Sequence, residues 1–159
     1  MNMATTNRNL IEYEGLSTCK PKNLPYFNQV IHDFTFCIPT QKPDIEQLVK
    51  VWATPCILTQ KVVKTPKGTS LEGQTVTGYK LMVTGEITYK VQYVALEAEQ
   101  SLHTAHTTIP FCAYVVLPEK FNLNALITAS VILEDIHSEQ LDTRCIYNNI
   151  TMMLIADLC

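Results

Sequence analysis

From residue 81 to 93 every odd position except Gly85 is apolar (Leu81, Val83, Ile87, Tyr89, Val91, Tyr93), while the even ones are Met82, Thr84, Glu86, Thr88, Lys90 and Gln92. A period of two predicts a long, half-buried strand. Gly85 in its interior predicts a bulge or bend where another backbone comes close, and hence a curved sheet. Shorter patterns of the same kind, rich in Thr, Val, Ile and Tyr, predict strands over 57–65, 102–109, 125–133 and 145–156. Turn residues separate them at Pro66-Lys67-Gly68, Glu72-Gly73 and Pro118, whereas Asn148 and Asn149 interrupt the last strand pattern for no reason visible in the sequence. Strands at this spacing predict an all-β fold, a single β-sandwich or jelly-roll-like domain.

One stretch predicts a short helix. In Pro43-Asp44-Ile45-Glu46-Gln47-Leu48-Val49, Asp44 can cap a first turn, Gln47 can reach back to it, and Ile45, Leu48 and Val49 share a side. Trp52 and Pro55 would end it, and its expected task is to plug one end of the sandwich. Residues 1–30 lack a period and read as an extended arm preceding a domain at 31–159. Its apolar pieces, Leu10, Ile11 and Tyr13, then Tyr26 and Phe27, need a surface on their own domain or on a neighbour.

Composition narrows the functions. The chain has 159 residues, 47% hydrophobic and 17% charged, with a formal net charge of -3. A chain of about 150 residues buries roughly 68–70% of its unfolded surface, so it needs neither metal nor disulfide merely to fold. With 12 Lys and Arg against 15 Asp and Glu and no basic cluster, nucleic acid is excluded as an expected partner. The amino terminus lacks a signal-peptide pattern, and no apolar run approaches a membrane span of roughly 18 residues, so synthesis in the cytoplasm without membrane insertion is expected.

The six cysteines are 14 or more residues apart, without the local pairs of a metal site, so neither metal nor cofactor is expected. Cytoplasmic thiols are kept reduced, and Cys37, Cys56, Cys112 and Cys145, in or beside strands, read as small buried hydrophobes. Cys19 in the arm and Cys159 at the last position read as exposed.

His103 and His106 invite a catalytic or metal reading, but residues three apart on a strand point to opposite faces and cannot share an ion. Pairing one of them with Cys112 and Glu97 or Glu99 finds no nucleophile elbow or phosphate loop in support, and no enzyme is expected. Glu72-Gly73-Gln74 and Thr77-Gly78 read as turns that set strand register, with glycine where positive φ is wanted. Tyr79, Tyr89, Tyr93 and Trp52 either fill the core or form a platform on which a sugar ring stacks.

Several motifs in order, Gln41-Lys42-Pro43-Asp44-Ile45-Glu46-Gln47, Glu72-Gly73-Gln74, Gly78-Tyr79, Gln100-Ser101-Leu102-His103 with His106, and Pro110-Phe111, resemble the SPOCS family, the spore-coat domains of SipL type. The similarity runs from about residue 10 onward. It implies a protein of the bacterial endospore envelope that acts by binding other coat proteins, with no enzymatic residues and no cofactor. SipL-type domains are accompanied by a LysM module, and a stand-alone domain without one is expected here.

The expectation is a structural protein of the coat, exosporium or spore surface. It would self-associate by strand addition, an extended segment of one copy (10–13 or 26–36) pairing with a sheet edge or groove of the next, in a fibre or layer. Cys19 and Cys159 would form disulfides between copies once the surroundings become oxidising. An adaptor for another coat protein and a carbohydrate-binding module are the alternatives.

Overall fold

The structure, a computed structural model, describes residues 3–18, 22 and 26–158. Ten strands follow in chain order: β1 (Met3–Arg8), β2 (Ile11–Ser17), β3 (Phe27–Cys37), β4 (Ile45–Lys64), β5 (Gly68–Thr69), β6 (Thr75–Val76), β7 (Tyr79–Ala95), β8 (Leu102–Val116), β9 (Ile127–Gln140) and β10 (Cys145–Leu158). Eight of them form one sheet, ordered β3-β10-β9-β2-β4-β7-β8 with β1 pairing on β2, while β5 and β6 make a separate small hairpin. The all-β expectation is met by one sheet folded over itself.

Its two walls, β3-β10-β9 and β4-β7-β8, enclose the core. Phe34 and Phe36 of β3 meet the ring of Tyr89 of β7 edge-on at 5.3 and 5.7 Å. Alternation along β7 is nearly complete, with Leu81, Val83, Ile87, Tyr89, Val91 and Tyr93 buried. Burying a large apolar side chain contributes about 1.5–3 kcal/mol, so this one strand carries a large share of the driving force.

The predicted helix at 43–49 is absent: Ile45 begins β4, which runs as strand to Lys64. Register against β7 shifts between Ile45 and Gln47 and again between Leu48 and Lys50. Two extra residues therefore space the inward side chains Ile45, Leu48 and Val51 three apart, a helical period made by two β-bulges. Pro55 lies inside β4, beyond the short stretch where β2 pairs with Lys50, Val51 and Trp52, so its missing N–H removes no bond to β2.

Gly85 stands opposite Ile57, next to a third register shift, and opposite Phe111 on the other side. A Cβ there would collide with the Cys56 carbonyl oxygen and lie 2.6 Å from Phe111 Cζ. The close backbone approach read from the sequence is thus real, and the Phe111 ring fills the space that a side chain would take.

Residues 3–17 are extended, but within the sheet. Ile11, Tyr13 and Leu16 are buried in the core. Gly15, at φ +108°, is the bulged residue between pairs Thr5–Glu14 and Ala4–Leu16, and a Cβ on it would overlap the Ala53 carbonyl oxygen. No helix among the described residues is long and apolar enough to cross a membrane.

The walls meet through scattered bonds rather than one continuous ladder, among them a backbone bond from the Ile45 N–H to the Thr143 carbonyl at 2.7 Å. Between β4 and β9, β2 pairs with both, but with Leu133 of β9 only at Leu16. On one side of it Gln60 donates to the Ile127 carbonyl (2.8 Å) and accepts from the Ala129 N–H (3.0 Å), as a strand backbone would. On the other, the Tyr13 hydroxyl donates to the Ser138 carbonyl (3.3 Å) and accepts from its N–H (3.1 Å). At the opposite seam Asn28 of β3 donates to the Tyr114 carbonyl of β8 at 2.9 Å.

Candidate functional site

Three loops converge at one end of the barrel, here the upper rim: 38–44, 96–101 and 141–144. Arg144 ties them. Its Nη1 donates to the Lys42 carbonyl (2.7 Å) and to Asp44 Oδ1 (2.9 Å), and its Nη2 to the carbonyls of Ile38 (3.1 Å) and Pro39 (2.7 Å). A planar guanidinium has the donors for such a fork and a lysine does not. Asp142 Oδ1 accepts from the N–H groups of Arg144 and Cys145, both at 2.6 Å, and these bonds lower its pKa below the usual 3.8.

Family-motif residues gather on the same rim. The Tyr93 hydroxyl donates to the Pro43 carbonyl at 2.9 Å, and burial raises the pKa of that hydroxyl. Gln100, in the left-handed region at φ +48°, donates to both carboxylate oxygens of Glu46 at 3.0 and 2.8 Å. His103 stacks on Tyr93 with centroids 5.9 Å apart and shares a 3.1 Å hydrogen bond with Ser101. Pro43, Asp44, Glu46, Gln100 and His103 thus lock loops to one another, and their polar atoms are engaged in doing so. The chemistry of the cluster is that of a rigid surface.

The other motif residues lie elsewhere. Glu72, Gly73 and Gln74 turn the β5–β6 hairpin at the opposite, lower rim, with Gly73 at φ +89°, and Gly78, at φ +98°, accepts from the Thr65 N–H. His106 is exposed on the outer face of β8, opposite Lys90 and on the other face from His103; Pro110 is outward opposite Glu86, and Phe111 is buried against Gly85. Ile45 is in the core, and Gln47 bonds the Leu48 carbonyl. Among the described residues no cluster of three or more His, Cys, Asp or Glu could hold a metal.

Tyr89 and Tyr93 are fully buried, so the sugar platform they would have formed does not exist. Burial drives the Tyr89 pKa well above 10.0, while its hydroxyl lies 3.5 Å from Ser138 Oγ. Tyr79 packs on Phe121. Trp52, on the outer wall, lies under Lys50 and Lys90, whose Nζ atoms are 4.9 and 5.9 Å from its ring centroid. Lys50 also bridges Glu12 and Glu14 at 2.9 Å each, and those hydrogen bonds raise its pKa.

The cysteines overturn the reading of four buried thiols. Cys37 and Cys145 sit opposite each other in the β3–β10 ladder and form a disulfide. Cys56 and Cys112 are free and exposed. Cys19 and Cys159 lie outside the described residues. Of the arm residues, Leu10 is exposed in the β1–β2 turn at φ +68°, Ile11 and Tyr13 are core, Tyr26 is half-buried and Phe27 exposed at the start of β3.

Two features escaped the sequence reading. Arg144 gave as its only signal that it is the one arginine after Arg8. The other is a buried polar chain: Ser138 Oγ donates to Asn148 Oδ1 at 2.6 Å, and Asn148 Nδ2 donates to the Ile146 carbonyl at 3.2 Å. This accounts for Asn148 within a strand.

Compared with protein families, residues 44–140 match the model described as SipL, SPOCS domain. Comparison with curated proteins and with solved structures gave no match.

Proposed function

We propose, from the premise that this chain belongs to the SPOCS-domain family of SipL, that it is a structural protein of the endospore envelope, in the coat, exosporium or a surface appendage, and that it assembles with copies of itself. The family is one of non-enzymatic structural and interaction domains, and its membership points to a spore-coat-related role. The observation that carries self-assembly is the build of the β1–β2 hairpin. Its β2 strand supplies Ile11, Tyr13 and Leu16 to the core, yet it pairs with β4 at three residues and with β9 at one.

A hairpin that completes a core through so few ladder bonds can complete a neighbour's core as well. Exchange of residues 3–17 between copies would reproduce every contact in a second chain, which is the low-cost route to assembly. Cys19, two residues beyond β2, and Cys159 would then be cysteines that join copies covalently in an oxidising exterior.

Size-exclusion chromatography with light scattering over a concentration series tests the reading, with negative-stain imaging of the largest species. Species above the 17.9 kDa monomer that grow with concentration are expected. A monomer at every concentration sinks self-assembly and leaves the adaptor for a different coat protein.

A further inference from the structure

We infer that the upper and lower rims of the barrel are the two halves of one head-to-tail interface between copies of this chain. The inference rests on the self-assembly reading and names the surfaces that assembly uses.

Eleven large apolar side chains are exposed among the described residues, and nine of them lie at the two ends of the barrel. Leu10, Leu96, Leu102 and Leu141 surround the upper rim. Leu71, Leu123 and Leu126 stand on the lower rim, with Phe27 and Tyr114 beside them. Only Ile31 and Leu58 break the polar outer walls. Scattered exposed leucines need no explanation, but their confinement to two opposite ends does.

Charge separates the same way. Each of three upper segments brings two carboxylates: Asp44 and Glu46 in 38–46, Glu97 and Glu99 in 96–102, Glu139 and Asp142 in 139–145; against these six stand Lys42 and Arg144 in the same segments and Arg8 at the end of β1. On the lower rim, segments 64–80 and 117–126 carry Lys64, Lys67, Lys80 and Lys120 against Glu72 and Glu119, with Asp157 at the end of β10. A copy therefore meets its own upper rim with repulsion and another copy's lower rim with attraction, which selects head-to-tail over symmetric pairing. A heterologous contact between opposite ends does not close and propagates as a filament. The upper half is pre-organised by Arg144 and Gln100, so little loop entropy is lost on docking.

Charge exchange tests this directly. The variant Glu97→Lys/Glu99→Lys/Glu139→Lys makes the upper rim basic, and Lys64→Glu/Lys120→Glu makes the lower rim acidic; all five side chains are exposed. Each variant alone should remain monomeric by light scattering at concentrations where the unaltered chain assembles. Mixed in equal amounts, the two should recover assembly, because each altered rim then finds its complement. Leu96→Ser and Leu71→Ser, which remove apolar area and leave charge unchanged, should each weaken assembly as well.

If the unaltered chain assembles and either charge variant assembles equally, or if folded variants fail to rescue each other, the end-to-end interface is wrong and self-assembly stands. An unaltered chain that stays monomeric sinks both.

Discussion

Replacing Asn148 by Ala removes the centre of the polar chain buried between the walls. Asn148 is 0% exposed and Ser138 4%, so no water reaches the groups left behind. The Ser138 hydroxyl loses its 2.6 Å acceptor, and the Ile146 carbonyl loses a donor. An orphaned buried donor costs about 1–3 kcal/mol, and the net value of the second bond adds about 0.5–1.5 kcal/mol. We expect Asn148→Ala to destabilise the domain by roughly 2–4 kcal/mol, a fall in Tm of about 4–16 °C for a chain of this size.

The double variant with Ser138→Ala separates this cause from general loss of packing. The double variant removes donor and acceptor of the 2.6 Å bond together, and the Tyr89 hydroxyl, 3.5 Å from Ser138 Oγ, loses that contact already in Ser138→Ala, so the double variant should cost about 1–2 kcal/mol less than the sum of the single ones. Urea unfolding followed by tyrosine fluorescence gives all the values. Additive losses, or a single-variant loss below about 0.5 kcal/mol, would refute the claim that the hydrogen bond governs the site.

Reduction of the Cys37–Cys145 disulfide, which spans 108 residues, should lower stability by up to about 4.7 kcal/mol by freeing the unfolded chain; identical urea midpoints with and without reductant would deny it. Gly85→Ala should cost about 1–3 kcal/mol through collision with the Cys56 carbonyl and Phe111, while Gly68→Ala, with nothing within 4 Å, should be close to neutral in the same thermal melts. Because burial raises the Tyr89 and Tyr93 pKa values, folding stability should be intact below pH 10.0 and fall as the unfolded chain ionises above it. Unfolding free energies that are flat between about pH 8 and about pH 11 would count against that burial.

The strand content was legible because β7 alternates cleanly, and Gly85 announced a close approach through its position in that pattern. β4 was misread for a definite reason: two bulges stretched a period of two into spacings of three, which no window of residues can tell from a helix. The disulfide was invisible because it depends on the register of β3 against β10, a long-range property. Cys56 and Cys112 were assigned inward by residue type, although strand parity is what turns them outward. At the upper rim the motif residues were readable one by one. The clamp that Arg144 sets on the 38–44 loop was not, since that side chain comes from the far end of the chain.

The side-chain seams give the domain a directional mechanics. A pull along the strands loads the ladders of β7–β8 and β9–β10 in parallel, so many backbone bonds must fail together. A pull that parts the walls meets Gln60, Tyr13, Asn28, the short pairings of β2 and the Ile45–Thr143 backbone bond as separate fastenings, released in turn. Copies stacked end to end would carry tension along the strong direction and yield sideways, as a fibre exposed to flow and abrasion must.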